Sequence, residues 1–313
     1  MPDKPNILVV GSINMDLVVR SPHMPGPGET VLGSGFVTSP GGKGANQAVA
    51  IARLGGDCRF IGRVGQDGFG EQMLRGLRSE GIDCANVMTT PDAPTGVAII
   101  IVDSRGENSI VVASGANRMV SPDDIFPCGR AFEEADVVVL QLELPLPTVR
   151  AAIQLARRHG CKIILDPAPA QPNLPDELCE VDIISPNVTE AELITGQRSV
   201  DESTDKLVAT ELIARGAAAA VLKLGSRGSM VVTADGHFYT APPYKVSVVD
   251  TTAAGDAFTG ALAVALGQGQ PLRQAAQFAN AAGALACAAL GAQAAMPTLD
   301  QVRMLMRDQP VKE

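Results

Sequence analysis

Short runs of consecutive apolar residues, rich in Val and Ile, recur along this chain with helical patterns set among them. Residues 7–11, 59–64, 137–142, 162–166, 182–185 and 219–223 are of the first kind, and residues 44–54, 69–79, 148–159, 190–195 and 203–215 of the second. A strand that is apolar at every position is buried on both faces, and the intervening helices are what cover it. The expectation is an α/β fold: a doubly wound, mainly parallel sheet with helices on both faces, in a single domain over residues 1–313.

Two regions break the rhythm. Residues 17–20 and 30–38 are short strand-like pieces around the turn Pro25-Gly26-Pro27-Gly28, and residues 96–103 and 109–113 form a hairpin pattern. β pieces without intervening helices predict a small projecting sheet, inserted at about residues 12–40 and 95–115 and acting as a lid, a dimer contact or both. The plainer alternative is an antiparallel extension of the main sheet. From Thr252 onward the pattern is nearly all helix, with a polar, frayed tail expected over residues 307–313.

Composition narrows the function. A chain of 313 residues with 46% hydrophobic content can bury a large core. A net charge of -9 opposes a nucleic-acid groove, which needs a basic stripe to displace counterions. With no Trp and two Tyr, platforms for stacking bases are scarce as well. No apolar run reaches membrane-spanning length, and the first six residues lack the hydrophobic region of a signal peptide. Cys58, Cys84, Cys128, Cys161, Cys179 and Cys287 are scattered without a CxxC or a nearby His pair, as buried fillers in a reducing compartment are. The expectation is a cytoplasmic protein without nucleic-acid or membrane partners.

Six segments carry possible chemistry. Asp250-Thr251-Thr252-Ala253-Ala254-Gly255-Asp256 runs into an apolar helical pattern. Amides at a helix start have no internal partner, and the small residues Ala253, Ala254 and Gly255 let a phosphate approach them. Asp256 beside such an anion cradle makes chemical sense as a proton acceptor, although the helix dipole alone also favours an acid there. Asn14 and Asp16 follow the first strand, where ligand crevices of open parallel sheets lie, and suit neighbouring sugar hydroxyls; an Asx turn is the plainer reading. Gly41-Gly42-Lys43-Gly44-Ala45-Asn46-Gln47 fails the phosphate-loop pattern, since Gly44 follows Lys43 and Phe36 or Val37 stands where the upstream glycine belongs. It fails GxGxxG at Gln47. What remains is a glycine-rich helix start whose amides, with Asn46, are available to a small polar ligand. Glu143 ends an apolar strand and needs a partner. Asn187 and Glu190 have the spacing of a helix-capping pair, and Lys223-Leu224-Gly225-Ser226-Arg227-Gly228 is a donor-rich strand-end turn.

In this order and separation the segments resemble the ribokinase-like carbohydrate kinase family over nearly the whole chain, with Asp166-Pro167-Ala168-Pro169 and the helix near Asn280 also matching. The resemblance implies ATP-dependent phosphorylation of the 5-hydroxyl of D-ribose. It casts Asp256 as the base and the amides of Ala253, Ala254, Gly255 and Asp256 as the anion hole. It assigns Asn14, Met15, Asp16, Gly42, Lys43, Gly44, Ala45, Asn46 and Glu143 to the sugar. Asn187, the turn from Lys223 to Gly228, Gly255 and Asn280 go to the nucleotide, and Glu190 goes to the water shell of Mg²⁺. A potassium ion is implied beside the anion hole at Asp250, Thr252, Ala286, Ala289, Gly291 and Ala295, the last lacking the hydroxyl common there. Lys223 stands where close relatives often carry Thr; as a point charge it could reach a phosphate or face solvent. A homodimer through the lids is implied too. Kinases of fructose, a keto-deoxy sugar acid or a nucleoside are the alternatives, as is a non-enzymatic sugar sensor. Scarce aromatics, a single nearby cation in Lys43, and the presence of Asp256 count against them.

Overall fold

The computed structural model describes residues 4–311. The strands in chain order are β1 (Asn6–Val10), β2 (Asn14–Arg20), β3 (Gly35–Gly41), β4 (Asp57–Gly65), β5 (Asp83–Thr90), β6 (Gly96–Val102) and β7 (Asn108–Ala113). They continue with β8 (Val137–Leu140), β9 (Lys162–Leu165), β10 (Ile183–Ile184), β11 (Ala219–Lys223), β12 (Ser229–Thr233) and β13 (Phe238–Ala241). The helices are α1 (Lys43–Arg53), α2 (Gly68–Ser79), α3 (Pro122–Ile125), α4 (Gly129–Glu133), α5 (Leu146–His159) and α6 (Asp176–Cys179). After these come α7 (Val188–Thr195), α8 (Glu202–Ala214), α9 (Ala254–Gly267), α10 (Leu272–Cys287) and α11 (Leu299–Asp308).

Nine strands form the main sheet in the order β13-β12-β11-β10-β9-β8-β1-β4-β5. From β11 to β5 every neighbouring pair is parallel, and β12 and β13 add an antiparallel edge. Alternate side chains of β1 feed two separate cores. Ile7 and Val9 pack with α1, α9 and α10, while Leu8 and Val10 pack with α5 and α8. Unbroken apolar runs are therefore required, because each face of the sheet has its own helical layer.

The second sheet has four strands in the order β3-β2-β6-β7. β2 pairs antiparallel with β3 and parallel with β6, and β6 pairs antiparallel with β7. It is a separate sheet, not an extension of the first. Its β3 begins at Gly35, so residues 30–34 are loop where a strand was expected. Leu32 in that stretch is 90% exposed, so no burial holds it in a strand. Two pieces of the main sheet carry no strong sequence signal: the edge strand β5, partly exposed, and the β12–β13 hairpin. The expected fraying at 307 begins later, since Arg307 and Asp308 close α11; Lys312 and Glu313 lie outside the described residues. Among the described residues no helix is long and apolar enough to cross a membrane, and the six cysteines are free, four of them buried.

Candidate active site

The carboxyl ends of β1, β8, β9 and β11 open into one crevice, closed by the first turns of α1 and α9. Asp256, in the first turn of α9, is 4% exposed. One carboxylate oxygen accepts from Asn46 Nδ2 at 3.0 Å, and the other from Gln47 Nε2 at 3.1 Å. Lys43 Nζ stands 4.0 Å from that second oxygen. Gln47 Nε2 also donates to Asp166 Oδ2 at 2.9 Å, so one amide ties two buried carboxylates together. Its carbonyl accepts from Gln141 Nε2 at 2.6 Å, which fixes the orientation of the amide. Asp166, just past β9, also takes Thr259 Oγ1 at 3.2 Å and Lys223 Nζ at 2.8 Å. Lys223 is therefore not solvent-facing: its side chain is 11% exposed. Sequence reasoning gave Gln47, Gln141 and Thr259 no role. An acid or amide closing an apolar strand, the signal that marked Glu143, would have found Asp166 and Gln141.

The α1 start corrects an expectation. Its amides are not available to a ligand, because the protein occupies them. Lys43 N donates to Glu143 Oε2 at 3.0 Å, Gly44 N to Ser12 Oγ at 3.3 Å and Ala45 N to Ser12 O at 3.0 Å. Ser12 Oγ in turn donates to Glu143 Oε2. The glycines serve close packing instead. A β-carbon on Gly44 would stand 2.6 Å from Ser12 N, and one on Gly42, at φ 88°, 2.6 Å from Asn14 N. Gly44 and Ala45 thus present nothing polar to a sugar. What the helix does offer is the Lys43 side chain, 30% exposed, and Asn46 Oδ1, which is buried without a hydrogen-bond partner among the described residues.

β2 alternates as a strand must. Asn14 and Asp16 share one face, while Met15 is fully buried in the core and drops out of the sugar set. Asn14 Oδ1 accepts from Asn117 Nδ2 at 2.8 Å, and Asn117 also brackets the Ile13 backbone. Gly41, opposite Asn14, leaves the space into which the Asp16 carboxylate turns. Burial, with Glu143 and Asp256 nearby, pushes the Asp16 carboxyl up to about 7. Burial alone would lower Lys43, but Asp256, Asp166, Glu143 and Glu190 together hold it above its ordinary value. A cavity of about 450 Å³ adjoins these groups, lined by Asn14, Asn117, Glu143, Leu144 and Pro169.

The nucleotide-side expectations divide. Asn187 and Glu190 form a reciprocal capping box on α7: Glu190 N donates to Asn187 Oδ1 at 2.9 Å, and Asn187 N to Glu190 Oε2 at 2.8 Å. Burial raises the Glu190 carboxyl, against the pull of Lys223. Arg227 is turned away, paired through both terminal nitrogens to the buried Asp205 on α8. Asn280 spends its side-chain amide on Ala241 O and Pro242 O, at 2.9 and 3.2 Å. The loop 224–228 bonds back on itself through the amides of Leu224, Arg227 and Gly228, and Gly228, with φ 82°, packs against Ala241 O, which leaves the exposed Gly225 and Ser226 at its tip. At α9 the cap residue Ala253 is left-handed, with φ 57°. Asp250 joins the two loops expected at a cation: one oxygen accepts from Thr252 N and Oγ1 at 2.9 and 2.6 Å, the other from Gly291 N at 2.9 Å. Ala295 is buried in a short 3₁₀ turn and brings no side-chain oxygen.

The pfkB family carbohydrate kinases match this chain over residues 4–299. The chain belongs to that family. Among its relatives, a ribokinase from Haemophilus influenzae is 40% identical over 93% of this chain and 95% of its own length. A bifunctional ribokinase/ribose-5-phosphate isomerase A from Fructilactobacillus sanfranciscensis is 41% identical over 98% of this chain, which spans only 57% of that longer protein. The structure of Arabidopsis thaliana ribokinase complexed with ribose and ATP superposes with a TM-score of 0.90 at 33% identity, covering 97% of this chain and 99% of the other.

Proposed function

We propose that this chain transfers the γ-phosphoryl group of ATP to the 5-hydroxyl of D-ribose, giving ribose 5-phosphate and ADP. The observation that carries the reading is Asp256: a buried carboxylate in the first turn of α9, clamped by Asn46 and Gln47, between the sugar-type residues of β2 and the strand-end turn after β11. The two substrates of the A. thaliana neighbour support the choice of ribose and ATP.

In this reading Asp256 accepts the hydroxyl proton as the sugar oxygen attacks phosphorus. Backbone N–H groups at residues 253–256 stabilise charge on the transferring group, aided by the positive end of the helix. Asn14, Asp16, Lys43, the free Asn46 Oδ1 and Glu143 hold the sugar, and Gly42 lets the chain pass close to Asn14. The backbone of Leu224, Gly225, Ser226 and Gly228 lines the nucleotide, with Gly255 at its phosphate end and Asn280 acting by holding the Ala241–Pro242 backbone.

Mg²⁺ and potassium fit the donors present. Glu190 has one oxygen engaged by its own cap and one left for a hydrated Mg²⁺, which supplies neutralising charge to the phosphates. Asp250 and Thr252, with the backbone of Ala286, Ala289, Gly291 and Ala295, bring two oxygen-bearing loops together for potassium beside α9. The second sheet is read as the lid and the homodimer contact. β7 is exposed along its whole length, and Phe36, Val37, Ile110 and Val111 present apolar surface at 63%, 62%, 54% and 67% exposure. In this reading the chain is a cytoplasmic enzyme.

An ATP-consumption screen over ribose, 2-deoxyribose, fructose, adenosine and keto-deoxygluconate, with and without potassium, tests the proposal. The expected result is the highest kcat/KM for ribose, raised by potassium. A tenfold preference for any other acceptor overturns the choice of sugar, and no phosphorylation of any of them overturns the enzyme.

A further inference from the structure

Lys223 closes β11 at the crevice. Its ammonium lies 2.8 Å from Asp166 Oδ1, with side chains only 11% and 1% exposed. A buried ion pair stabilises little by itself, because desolvation consumes most of the Coulomb gain. Asp166 already has two other donors, Gln47 and Thr259, on its second oxygen. Lys223 is moreover the residue nearest to Gly255: a β-carbon built there would stand 3.5 Å from Nζ. The ammonium therefore lies beside the first turn of α9 with space between them, and Asp166 takes one of its three N–H donors. A second ammonium, Lys43, approaches the same turn and stands 4.0 Å from Asp256. Beside Asp256, Asn46 Oδ1 is buried and unpartnered, as a site awaiting a ligand requires.

We infer that Lys223 is a catalytic residue that donates to the γ-phosphoryl group of ATP during transfer, with Asp166 as the positioning residue that aims it at the mouth of α9. The inference rests on the proposed kinase reading and adds a residue role to it. In the step, the sugar oxygen forms a bond to the γ-phosphorus, the bond from that phosphorus to the bridging oxygen of ADP breaks, and ADP leaves with the electron pair. The sugar proton goes to Asp256. Lys223 keeps its protons and gives hydrogen bonds to the γ-oxygens, which gain charge in the transition state. The chain Lys223–Asp166–Gln47–Asp256 also links that cation to the base through hydrogen bonds of 2.8, 2.9 and 3.1 Å.

The test compares the wild type with Lys223→Met and with the double variant Lys223→Met/Asp166→Asn, which removes the uncompensated buried carboxylate should the single variant fold poorly. Two readouts are needed: kcat with ribose, and equilibrium binding of ADP and of a non-hydrolysable ATP analogue. Both variants are expected to lose about 10²–10³-fold in kcat. Both should bind the ATP analogue about tenfold more weakly while binding ADP as the wild type does, since only the analogue carries a γ-phosphate. Wild-type kcat in the double variant, or equal weakening for ADP and the analogue, overturns the role and leaves Lys223 a structural partner of Asp166. The binding readout does not depend on which sugar the chain phosphorylates, so a wrong acceptor is distinguishable from a wrong Lys223.

Discussion

Two helices begin at this crevice, and both begin with small residues. At α1 the first amides are already bonded to Ser12 and Glu143, and the glycines make room for neighbouring backbone. At α9 the cap is a left-handed alanine, Asp256 is clamped by the side chains of Asn46 and Gln47, and Lys223 lies beside Gly255. At α1 the protein takes three successive amides, whereas at α9 Ala254 N bonds back to Thr251 O at 3.3 Å and the amides of Gly255 and Asp256 have no partner among the described residues. Small residues at a helix start therefore mark close approach, but not what approaches. That depends on whether another segment of the same chain sends a polar side chain into the gap, and the segments following β1 and β8 do so at α1 through Ser12 and Glu143.

If the difference is functional, substitutions at α9 should act on turnover and those at α1 on stability. The largest effect is expected for Asp256→Asn: kcat with ribose falls about 10³-fold while the affinity for ADP stays within a few-fold. Steady-state kinetics and nucleotide titration read both, and a loss below tenfold would move the proton acceptor elsewhere. The counterpart at α1 is Gly44→Ala. Its β-carbon would meet Ser12 N at 2.6 Å and Gly11 Cα at 2.7 Å, backbone atoms that cannot swing aside. The expected cost is about 2 kcal/mol, a fall in Tm of roughly 3 °C, with kcat of the folded fraction nearly unchanged. A stable Gly44→Ala that had lost turnover would erase the distinction between the helices.

How far the sequence carries follows from the same contrast. The parallel sheet was legible because continuous burial leaves a local signature: β11 has the expected bounds, and β1, β4, β8 and β9 lie within two residues of theirs. The edge strands β5 and β13 were not legible, since they are half-exposed and lose that signature, and the short buried β12 was missed with its hairpin partner. Asp256, Asn14, Asp16 and Glu143 were legible as polar groups at strand ends and a helix start. Gln47 was not, because a glutamine inside a helix pattern looks like surface until the fold brings Asp166, 119 residues away, against it. Met15 went wrong for the opposite reason: a motif names consecutive residues, whereas a strand sends only alternate ones into a site.

Between the two helices lies Asp16, which makes the comparison sensitive to pH. Its carboxyl titrates at about 7 in the folded chain, above the ordinary 3.8. A raised acid value means that the folded state prefers the proton, so this residue's contribution to stability is lost as pH climbs from about 4 through 7. Ribose affinity should move the other way, since accepting two hydroxyls requires the carboxylate. Between pH 8 and pH 6 the affinity is expected to fall about tenfold, as the ionised fraction does. Calorimetric titration of ribose into the wild type and Asp16→Asn checks this: the variant should bind weakly at both pH values with a flat profile. A sloping profile in the variant would assign the titration to another group.

The smallest effect tests whether the α9 turn is shaped by strain. Ala253 sits at φ 57°, where a β-carbon costs about 1 kcal/mol. Ala253→Gly removes that cost, but returns about 0.4–1 kcal/mol of conformational freedom to the unfolded chain. The two nearly cancel, so Tm should shift by less than about 2 °C. Turnover should not be neutral, because glycine frees the turn that aims the amides, and pre-aimed donors are what such a site contributes. A fall in kcat of about threefold at unchanged Tm is the expected pattern. Gly42→Ala at the other helix start should do the reverse, since its β-carbon would stand 2.6 Å from Asn14 N and a φ of 88° disfavours any side chain. There stability drops, and activity follows only through the amount folded. If Ala253→Gly leaves kcat untouched, the alanine is not what holds the α9 mouth in shape, and the clamp on Asp256 from Asn46 and Gln47 must do so instead.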